Sequence, residues 1–440
     1  MSTTLASLIA TAFVFTVLAA SSCGPRGQTG NSPAAAASRT ISVAQSGQAE
    51  VIGADNFALQ KAADMLKPGD TLVIGPGTYR MDNSLFIPCS DVVVRGTPGE
   101  TILLKGPGVA SKVVDCGDYG EDVLVLAEPE KFKPGMGISV GDDNYSGDWA
   151  ITVTSIASIS RDTIRLKDRT LRDYDYETKN ARVQGKFPIL CGIGVKNVTF
   201  EGITVDGNKA ENPHFIDGCR GGAIYLYQST DCTIRNCVAR NYNGDGISFQ
   251  ITDNIKVLNC ESFGNTNFGI HPGTGSPHAQ ISDSHFHNND SIGFFLCWRA
   301  RYGHFTNNLI ENNGLYGISI GHKDTDNLFE NNTIRNNGFS GVYFRNETFK
   351  LSGHRNVFRN NSILNNGDAK RGYGVYVEPY AGDIVLENNI IGDDRPGGER
   401  SQRYGVYVVR GAGKVSLTDN RMEGNLSGEF LDENQQSGAK

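Results

Sequence analysis

The amino-acid sequence predicts an all-β solenoid, a chain wound into coils of short strands. One observation is a phrase that recurs between residues 223 and 409: a small residue, then alternating apolar and outward positions. Another is its period, since the first six copies begin 23, 23, 24, 24 and 24 residues apart. That length suits a coil of three strands and is too short for a propeller blade. The copies begin at Ala223, Gly246, Gly269, Gly293, Gly317, Gly341, Gly374 and Gly405.

Columns of polar residues support the same coil. Four residues before successive anchors lie asparagines that should stack as a ladder at one turn, because asparagine tolerates left-handed backbone and stacked amides hydrogen-bond along the axis. They are Asn265, Asn289, Asn313 and Asn337. A second stacked column is expected nine residues before the anchors, at Cys237, Cys260, Ser284, Asn308 and Asn332.

The N-terminal residues are expected to direct export. A short apolar run ends in Ser21-Ser22-Cys23, which resembles a bacterial lipoprotein cleavage site. Residues 1–22 are therefore predicted to be a signal peptide, Cys23 a lipidated residue and 23–39 a flexible tether. The expected location is the bacterial envelope, as a lipoprotein of the periplasm or cell surface, or the outside of the cell.

Residues 40–430 are expected to form the β-helix domain, and 431–440 a disordered tail. A short strand and a capping helix should come first, with the helix starting at Asp55-Asn56 and burying Leu59 and Ala62. Residues 106–186 break the coil pattern and predict a small β insertion that flanks a cleft. The loop 210–221 is long for one coil and is expected to overhang the outward strand face.

The segments 56–63, 68–74 and 76–79 resemble the N-terminal cap and first coil of the right-handed parallel β-helix proteins of the pectate-lyase-like superfamily. The resemblance covers roughly residues 41–430. It implies an all-β right-handed parallel β-helix with an N-terminal capping helix and a small β insertion. It also implies a polysaccharide partner, although many chemistries share this fold.

Composition limits the function further. A formal net charge of −7 argues against a strongly basic nucleic-acid binder. No internal segment approaches the ~18 apolar residues of a membrane span, so membrane contact is expected only through the lipid anchor, and the protein is expected to be a monomer. Cys237 and Cys260 should lie on adjacent coils, either as a disulfide or as a stacked pair of buried thiols. No pair of cysteines has zinc-site spacing.

The outward positions between Gly269 and Glu378 carry the candidate site. Abstraction of a proton beside a uronate carboxylate needs a cation, a base and an acid, and imidazoles titrate near working pH. The candidate catalytic residues are His271, Arg299, His322 and Lys323. The candidate substrate-binding residues are Tyr225, Gln250, Trp298, Tyr343, Arg345, Glu347 and Glu378. The best-fitting function is an exported enzyme acting on an acidic glycan, as a lyase or an epimerase.

The segment 268–274 is also similar to a motif of alginate C5-epimerases. The aromatic, glycine, apolar and proline positions match, but the motif's catalytic Asp, His and Asp are His271, Gly273 and Thr274 here. The similarity therefore implies strand geometry and does not carry the catalytic residues over.

Three alternatives remain. A glycoside hydrolase needs paired carboxylates, and the acidic residues of this face are dispersed along it. A non-catalytic glycan-binding surface protein would use the same face without chemistry. Arg299 and Asp324 could form a purely structural ion pair. No cofactor is predicted; Asp290, Asp324 and Asp326 are the only candidates for a Ca²⁺ site, which nothing else in the sequence supports.

Overall fold

A computed structural model describes residues 38–368 and 370–438. The signal peptide and lipidated Cys23 predicted above lie outside these residues. The described chain confirms an all-β parallel β-helix, because three long sheets run along it with each coil contributing one strand to each sheet. No helix in these ranges is long and apolar enough to cross a membrane.

The first sheet has 13 strands, in the spatial order Val51–Ile52, Thr40–Ala44, Thr71–Ile74, Val93–Arg95, Thr199–Glu201, Thr233–Arg235, Lys256–Leu258, Gln280–Ser282, His304–Thr306, Leu328–Glu330, Val357–Arg359, Ile384–Glu387 and Val415–Thr418. The second sheet has 11: Gly77–Met81, Thr101–Lys105, Thr204–Asp206, Val238–Arg240, Glu261–Phe263, His285–His287, Leu309–Glu311, Thr333–Arg335, Ser362–Leu364, Ile390–Gly392 and Arg421–Glu423. The third sheet has 11 strands, of which the third to the tenth hold the eight copies of the recurring phrase: Leu85–Ile87, Leu190–Ile193, Ile224–Tyr227, Ile247–Gln250, Phe268–Pro272, Ile292–Phe295, Tyr316–Ile320, Ser340–Phe344, Tyr373–Val377, Tyr404–Val408 and Gly428–Asp432.

The α-helix Asn56–Ala63 packs at the N-terminal end of the solenoid. Its first turn is capped by Asp55, whose carboxylate accepts the Ala58 backbone N–H at 3.0 Å. Leu59 and Ala62 of this helix are fully buried. Short 3₁₀ helices occupy Pro129–Lys131, Asp148–Ala150, Lys209–Glu211, Gly397–Glu399 and Gln435–Gly438.

The asparagine ladder is confirmed. The Nδ2 of each ladder asparagine donates to the Oδ1 of the next, at 2.9 Å from Asn265 to Asn289 and 3.0 Å from Asn289 to Asn313. The left-handed backbone, however, belongs to the residue just before, as at Asn312 with φ 56°. The first of two adjacent asparagines thus makes the turn, and the second stacks in the core.

The insertion is a closed antiparallel barrel with its own apolar core. Its six strands, in order around the barrel, are Gly137–Gly141, Thr152–Ser160, Thr163–Leu166, Val123–Leu126, Ala110–Cys116 and Arg182–Gln184. The insertion contacts the solenoid through buried bonds such as the one from the Lys105 ammonium to the Gly185 carbonyl at 2.7 Å.

The structure decides between two alternatives for one pair of cysteines and differs from the expectation for the C-terminal residues. Cys237 and Cys260 are free, buried thiols that donate to the backbone carbonyls of Arg235 and Leu258, so the stacked-thiol alternative describes this structure. Residues 431–438, predicted to be a disordered tail, belong to the strand Gly428–Asp432 and the 3₁₀ helix that follows. Pairing of that strand with Tyr404–Val408 orders them.

Candidate functional site

The loop 210–221 crosses the outward face of the third sheet, as its length predicted. The Ser248 hydroxyl donates to the Gly218 carbonyl at 2.7 Å, and the Tyr225 hydroxyl donates to the Cys219 carbonyl at 2.6 Å. A Cβ on Gly218 would lie 1.8 Å from the Asp245 carboxylate, so only glycine allows the backbone this close. The loop therefore covers the outward face of the first coils of the site.

Beneath this loop, His271 pairs with Asp245. Its Nδ1 lies 2.7 Å from Oδ2 of Asp245, and both side chains are almost completely buried. The other carboxylate oxygen accepts the Asn267 side-chain amide at 2.8 Å. Burial raises the pKa of Asp245, and its bond with His271 opposes that rise. Nε2 of His271 makes no hydrogen bond with the described residues, so of the two ring nitrogens it is the one without a protein partner.

Sequence reasoning missed this pair. A hydrolase needs paired carboxylates, and the acidic residues of this face were therefore compared with one another and not with the histidines. The signal was positional: Asp245 lies one residue before an anchor and His271 two residues after the next one, so adjacent strands bring them together.

His322 lies in a chain of three polar groups. Its Nδ1 is 3.1 Å from the Cys297 sulfur, its Nε2 is 2.7 Å from Glu347, and the Trp298 ring stacks on it with centroids 4.4 Å apart. Burial, with a smaller contribution from Arg345, lowers the pKa of His322 to about 4. Burial also raises the pKa of the Cys297 thiol.

The resting state at neutral pH is therefore a neutral thiol donating to a neutral imidazole, which donates to the Glu347 carboxylate. A thiolate–imidazolium pair, as an activated cysteine nucleophile requires, is disfavoured here. Because both ring nitrogens are engaged, His322 has no lone pair left for a substrate.

Arg345 is committed to the protein. Its Nη1 donates to the Ser319 hydroxyl at 2.9 Å, and Nη2 donates to the Leu296 carbonyl at 2.8 Å and lies 3.4 Å from Asp324. Asp324 is fully buried, and burial raises its pKa to about 6 although Arg345 opposes the rise. The alternative ion pair between Asp324 and Arg299 is thus wrong, since the cation beside this carboxylate is Arg345.

Arg299 and Lys323 lie in the turns that follow their strands, with φ angles of 70° and 67°. Neither side chain has a hydrogen-bonding or ionic partner anywhere in the described ranges. They sit four positions further along the repeat than His271, past the strand end. The structure therefore groups Trp298 and His322 on these turns with the two cations, and sets His271 apart in mid-strand.

Of the remaining predicted contact residues, Tyr225, Gln250 and Tyr343 fall into two groups, and Glu378 lies beside Tyr376, where it adds to the rise that burial causes in the pKa of that tyrosine. Tyr225 and Gln250 are buried, and Gln250 is used internally, with its Oε1 accepting the Thr274 N–H at 2.7 Å. Tyr343 belongs to a stack of tyrosines on the C-terminal coils, with Tyr316 at a centroid distance of 4.4 Å and Tyr376 at 5.6 Å. These rings stack on one another and are partly exposed.

A cavity of about 280 Å³ lies between the barrel and the first coils of the third sheet. Its lining mixes apolar rings with polar groups from both parts, including Lys167, Asp168, Phe187, Arg220, Tyr225 and Tyr227. Sequence reasoning missed the barrel residues, because no pattern indicates where an insertion folds back.

The three acidic residues considered for Ca²⁺ do not gather. Asp290 pairs with Lys209 at 2.9 Å and Asp326 with Arg355 at 2.7 Å, while Asp324 holds Arg345. Two other groups of ligating side chains do come together within the described residues: Asp148 with Asp217 and Cys219, and Glu261 with His285 and His287.

The chain matches the family described as the right-handed β-helix region over residues 137–334 and 301–437. It therefore belongs to the right-handed β-helix family, as the resemblance in the sequence implied. No curated protein sequence matches it.

Solved structures agree on the fold. The A-module of the mannuronan C-5 epimerase AlgE6 from Azotobacter vinelandii aligns with a TM-score of 0.55 and 16% identity, covering 86% of this chain and 92% of that module. The AlgE4 A-module of the same organism gives 0.53 and 15%, covering 86% and 94%. The surface protein and adhesin PfbA of Streptococcus pneumoniae gives 0.51 and 13%, covering 86% and 94%. At these identities the similarity establishes architecture only.

Proposed function

We propose that this protein acts on an acidic, uronate-containing polysaccharide by proton abstraction, as a lyase or an epimerase. The Asp245–His271 pair carries the proposal. A buried carboxylate that accepts Nδ1–H fixes the imidazole tautomer and leaves the Nε2 lone pair as a base. This is the arrangement by which a carboxylate orients a catalytic histidine in other enzymes.

The candidate cations differ in whether their side chains are free to bind the substrate carboxylate. Neutralising the substrate carboxylate requires a cation that is not already paired, since a committed one would have to break its own bonds. Arg345 is spent on Asp324 and Ser319, whereas Arg299 and Lys323 have no side-chain partner in the described chain. A glycan bound obliquely across the strands would place one uronate at His271 and the next carboxylates on the turns.

The proposed chemistry is balanced without an oxidant or reductant. Nε2 of His271 takes the proton on the carbon beside the carboxylate. In a lyase the glycosidic C–O bond then breaks and the leaving oxygen takes a proton; in an epimerase the carbanion is reprotonated on its other face. Tyr343 lies three strands from His271, and Tyr225, two strands away, already donates its hydroxyl to the Cys219 carbonyl, so we assign this donation to a water molecule.

The test is incubation with alginate, pectate and glycosaminoglycans. A lyase produces the ultraviolet absorbance of an unsaturated uronate, and an epimerase exchanges the abstracted hydrogen with D₂O, as followed by NMR. We expect His271→Gln to lose at least about 100-fold in rate and Asp245→Asn at least about 10-fold. Lys323→Ala should also lose activity because it removes an unpaired cation of the site.

The matched control is His304→Gln. His304 is half-exposed on the first sheet, 3.5 Å from Glu330, and belongs to no part of the proposed site. Circular dichroism must show that each variant is folded. Full activity of folded His271→Gln would exclude the proposed base, and new reducing ends without absorbance or exchange would indicate a hydrolase.

A second candidate is a glycan-binding protein without catalysis. It is favoured by the burial of His271, which is only 4% exposed, and by the partly exposed stack of tyrosines on the C-terminal coils. Glycan binding without absorbance, exchange or new reducing ends, and lost on Tyr343→Ala, would support it over the enzyme.

A further inference from the structure

The strand His285–His287 places two imidazoles on the outer surface of the second sheet. Residues two apart on a strand share a face, and Phe286 between them is fully buried in the core. The two imidazole rings stack with centroids 3.8 Å apart. Nothing in the proposed glycan chemistry uses them, because that site lies on the third sheet.

The two neighbouring strands each offer a carboxylate to this histidine pair. Glu261 is in register with His285, and Glu311 is in register with His287. The contacts run diagonally: His287 Nε2 lies 3.0 Å from Glu261 Oε1, and His285 Nε2 lies 3.1 Å from Glu311 Oε1. Two imidazoles and two carboxylates from three consecutive coils thus converge.

We propose that Glu261, His285 and His287 form a binding site for a divalent transition-metal ion of the zinc type, with Glu311 beside it. One ligand atom from each of the three residues lies within 4.8 Å of the others. Tetrahedral Zn²⁺ with bonds of about 2.0–2.1 Å separates its ligands by roughly 3.4 Å, so small side-chain adjustments suffice. Imidazole nitrogen with carboxylate oxygen is a ligand set that suits zinc better than Ca²⁺ or Mg²⁺.

The surroundings allow an ion to enter and be held. The Glu261 side chain is 43% exposed and its only ionic partner in the described chain is His287, whereas Glu311 is anchored by Arg335 at 2.7 Å. The other ring nitrogen of His287, Nδ1, lies 2.9 Å from the Asn288 side-chain amide, which would accept Nδ1–H and orient Nε2 towards the ion with its oxygen turned to the ring. A shallow groove of about 460 Å³ adjoins Glu261 and His285 and gives room for a water ligand.

An ion here would tie together the coil of Glu261 and the coil of the two histidines more firmly than the existing His287–Glu261 contact does. In a solenoid each coil is stabilised mainly by its neighbours, so a cross-coil ligand set stiffens the stack locally. The proposal is therefore a structural metal site on the side of the solenoid that faces away from the candidate glycan surface.

The test uses the untagged full chain, stripped with EDTA and titrated with ZnCl₂ by calorimetry. We expect saturable binding of one ion, an increase of Tm by roughly 2–5 °C at about a hundredfold excess over Kd, and at least a tenfold weaker affinity at about pH 5.5, where protons compete for the imidazoles. His285→Gln/His287→Gln should abolish both effects, and Glu261→Gln should weaken binding about 10-fold or more.

His304→Gln is again the matched control, since it removes a single imidazole beside a single carboxylate and should bind zinc like wild type. Absence of saturable binding to the wild-type protein would overturn the proposal. Binding that survives His285→Gln/His287→Gln would also overturn it. This holds even if that binding is lost on Asp148→Asn/Asp217→Asn, since the ion would then bind at the other ligating group.

Discussion

His322 links the acid stability of the protein to one imidazole. Its folded pKa of about 4 lies below the ordinary value of about 6.5, because burial and Arg345 disfavour the charged ring. Burial also raises the pKa of Glu347, the carboxyl in contact with the ring. Since the unfolded chain binds the proton more readily, stability that is complete above pH 6.5 is lost as pH falls towards 4.

The prediction is that His322→Gln loses less stability than wild type on acidification. With the side chain 24% exposed, we expect the difference between about pH 7 and pH 5 to be roughly 1 kcal/mol, measured by urea unfolding. His304→Gln, with an imidazole 51% exposed, should keep the acid loss of wild type. Equal acid losses for wild type and His322→Gln would mean that this imidazole titrates normally in the fold.

The asparagine ladder is the element that most strongly fixes the coil. Asn313 accepts from the backbone N–H and the amide of Asn289 at 3.2 and 3.0 Å, and donates to the Phe286 carbonyl at 3.1 Å. Asn313→Ala leaves that N–H and that carbonyl buried without these partners. At about 1–3 kcal/mol for each unmet group, we expect a loss of roughly 2–4 kcal/mol in the free energy of unfolding.

Asn312→Gly is the control for this loss. Asn312 is exposed and has a φ of 56°, a conformation that glycine adopts readily, so the variant should remain within about 0.5 kcal/mol of wild type. Chemical unfolding of both variants measures the contrast. Comparable losses at the two neighbouring positions would show that the turn, and not the ladder, is the source of stability.

Periodicity made the elements predictable, because one period of 24 residues specifies strand, register and column together. It could not give contacts that cross columns. His322 has a left-handed backbone with a φ of 45°. This conformation directs its ring towards Cys297 and Glu347 on the neighbouring coils. The register of adjacent strands brings Asp245 and His271 together, but the loop that closes over them needs a glycine at 218, which the repeat does not indicate.

On the scale of the whole molecule, the two ends of the solenoid differ. The N-terminal end is covered by the helix Asn56–Ala63, where Leu59 is fully buried. At the other end, the strands Val415–Thr418, Arg421–Glu423 and Gly428–Asp432 contain no buried side chain, and Phe430 is 37% exposed. A coil contacts only its neighbours, so an end coil with little burial opens at the lowest free energy.

Hydrogen exchange should therefore begin at the C-terminal coil and move inward. We expect backbone amides of 415–432 to exchange at least about 100-fold faster than those of the strand Ile292–Phe295, whose Phe294 is fully buried, because terminal opening need not disrupt the central core. Exchange mass spectrometry at native pH measures this, and Phe430→Ala should accelerate the terminal coil while leaving the central strand unchanged. Simultaneous exchange of both regions would instead show that the solenoid opens as one cooperative unit, and that coil-by-coil burial does not set its local stability.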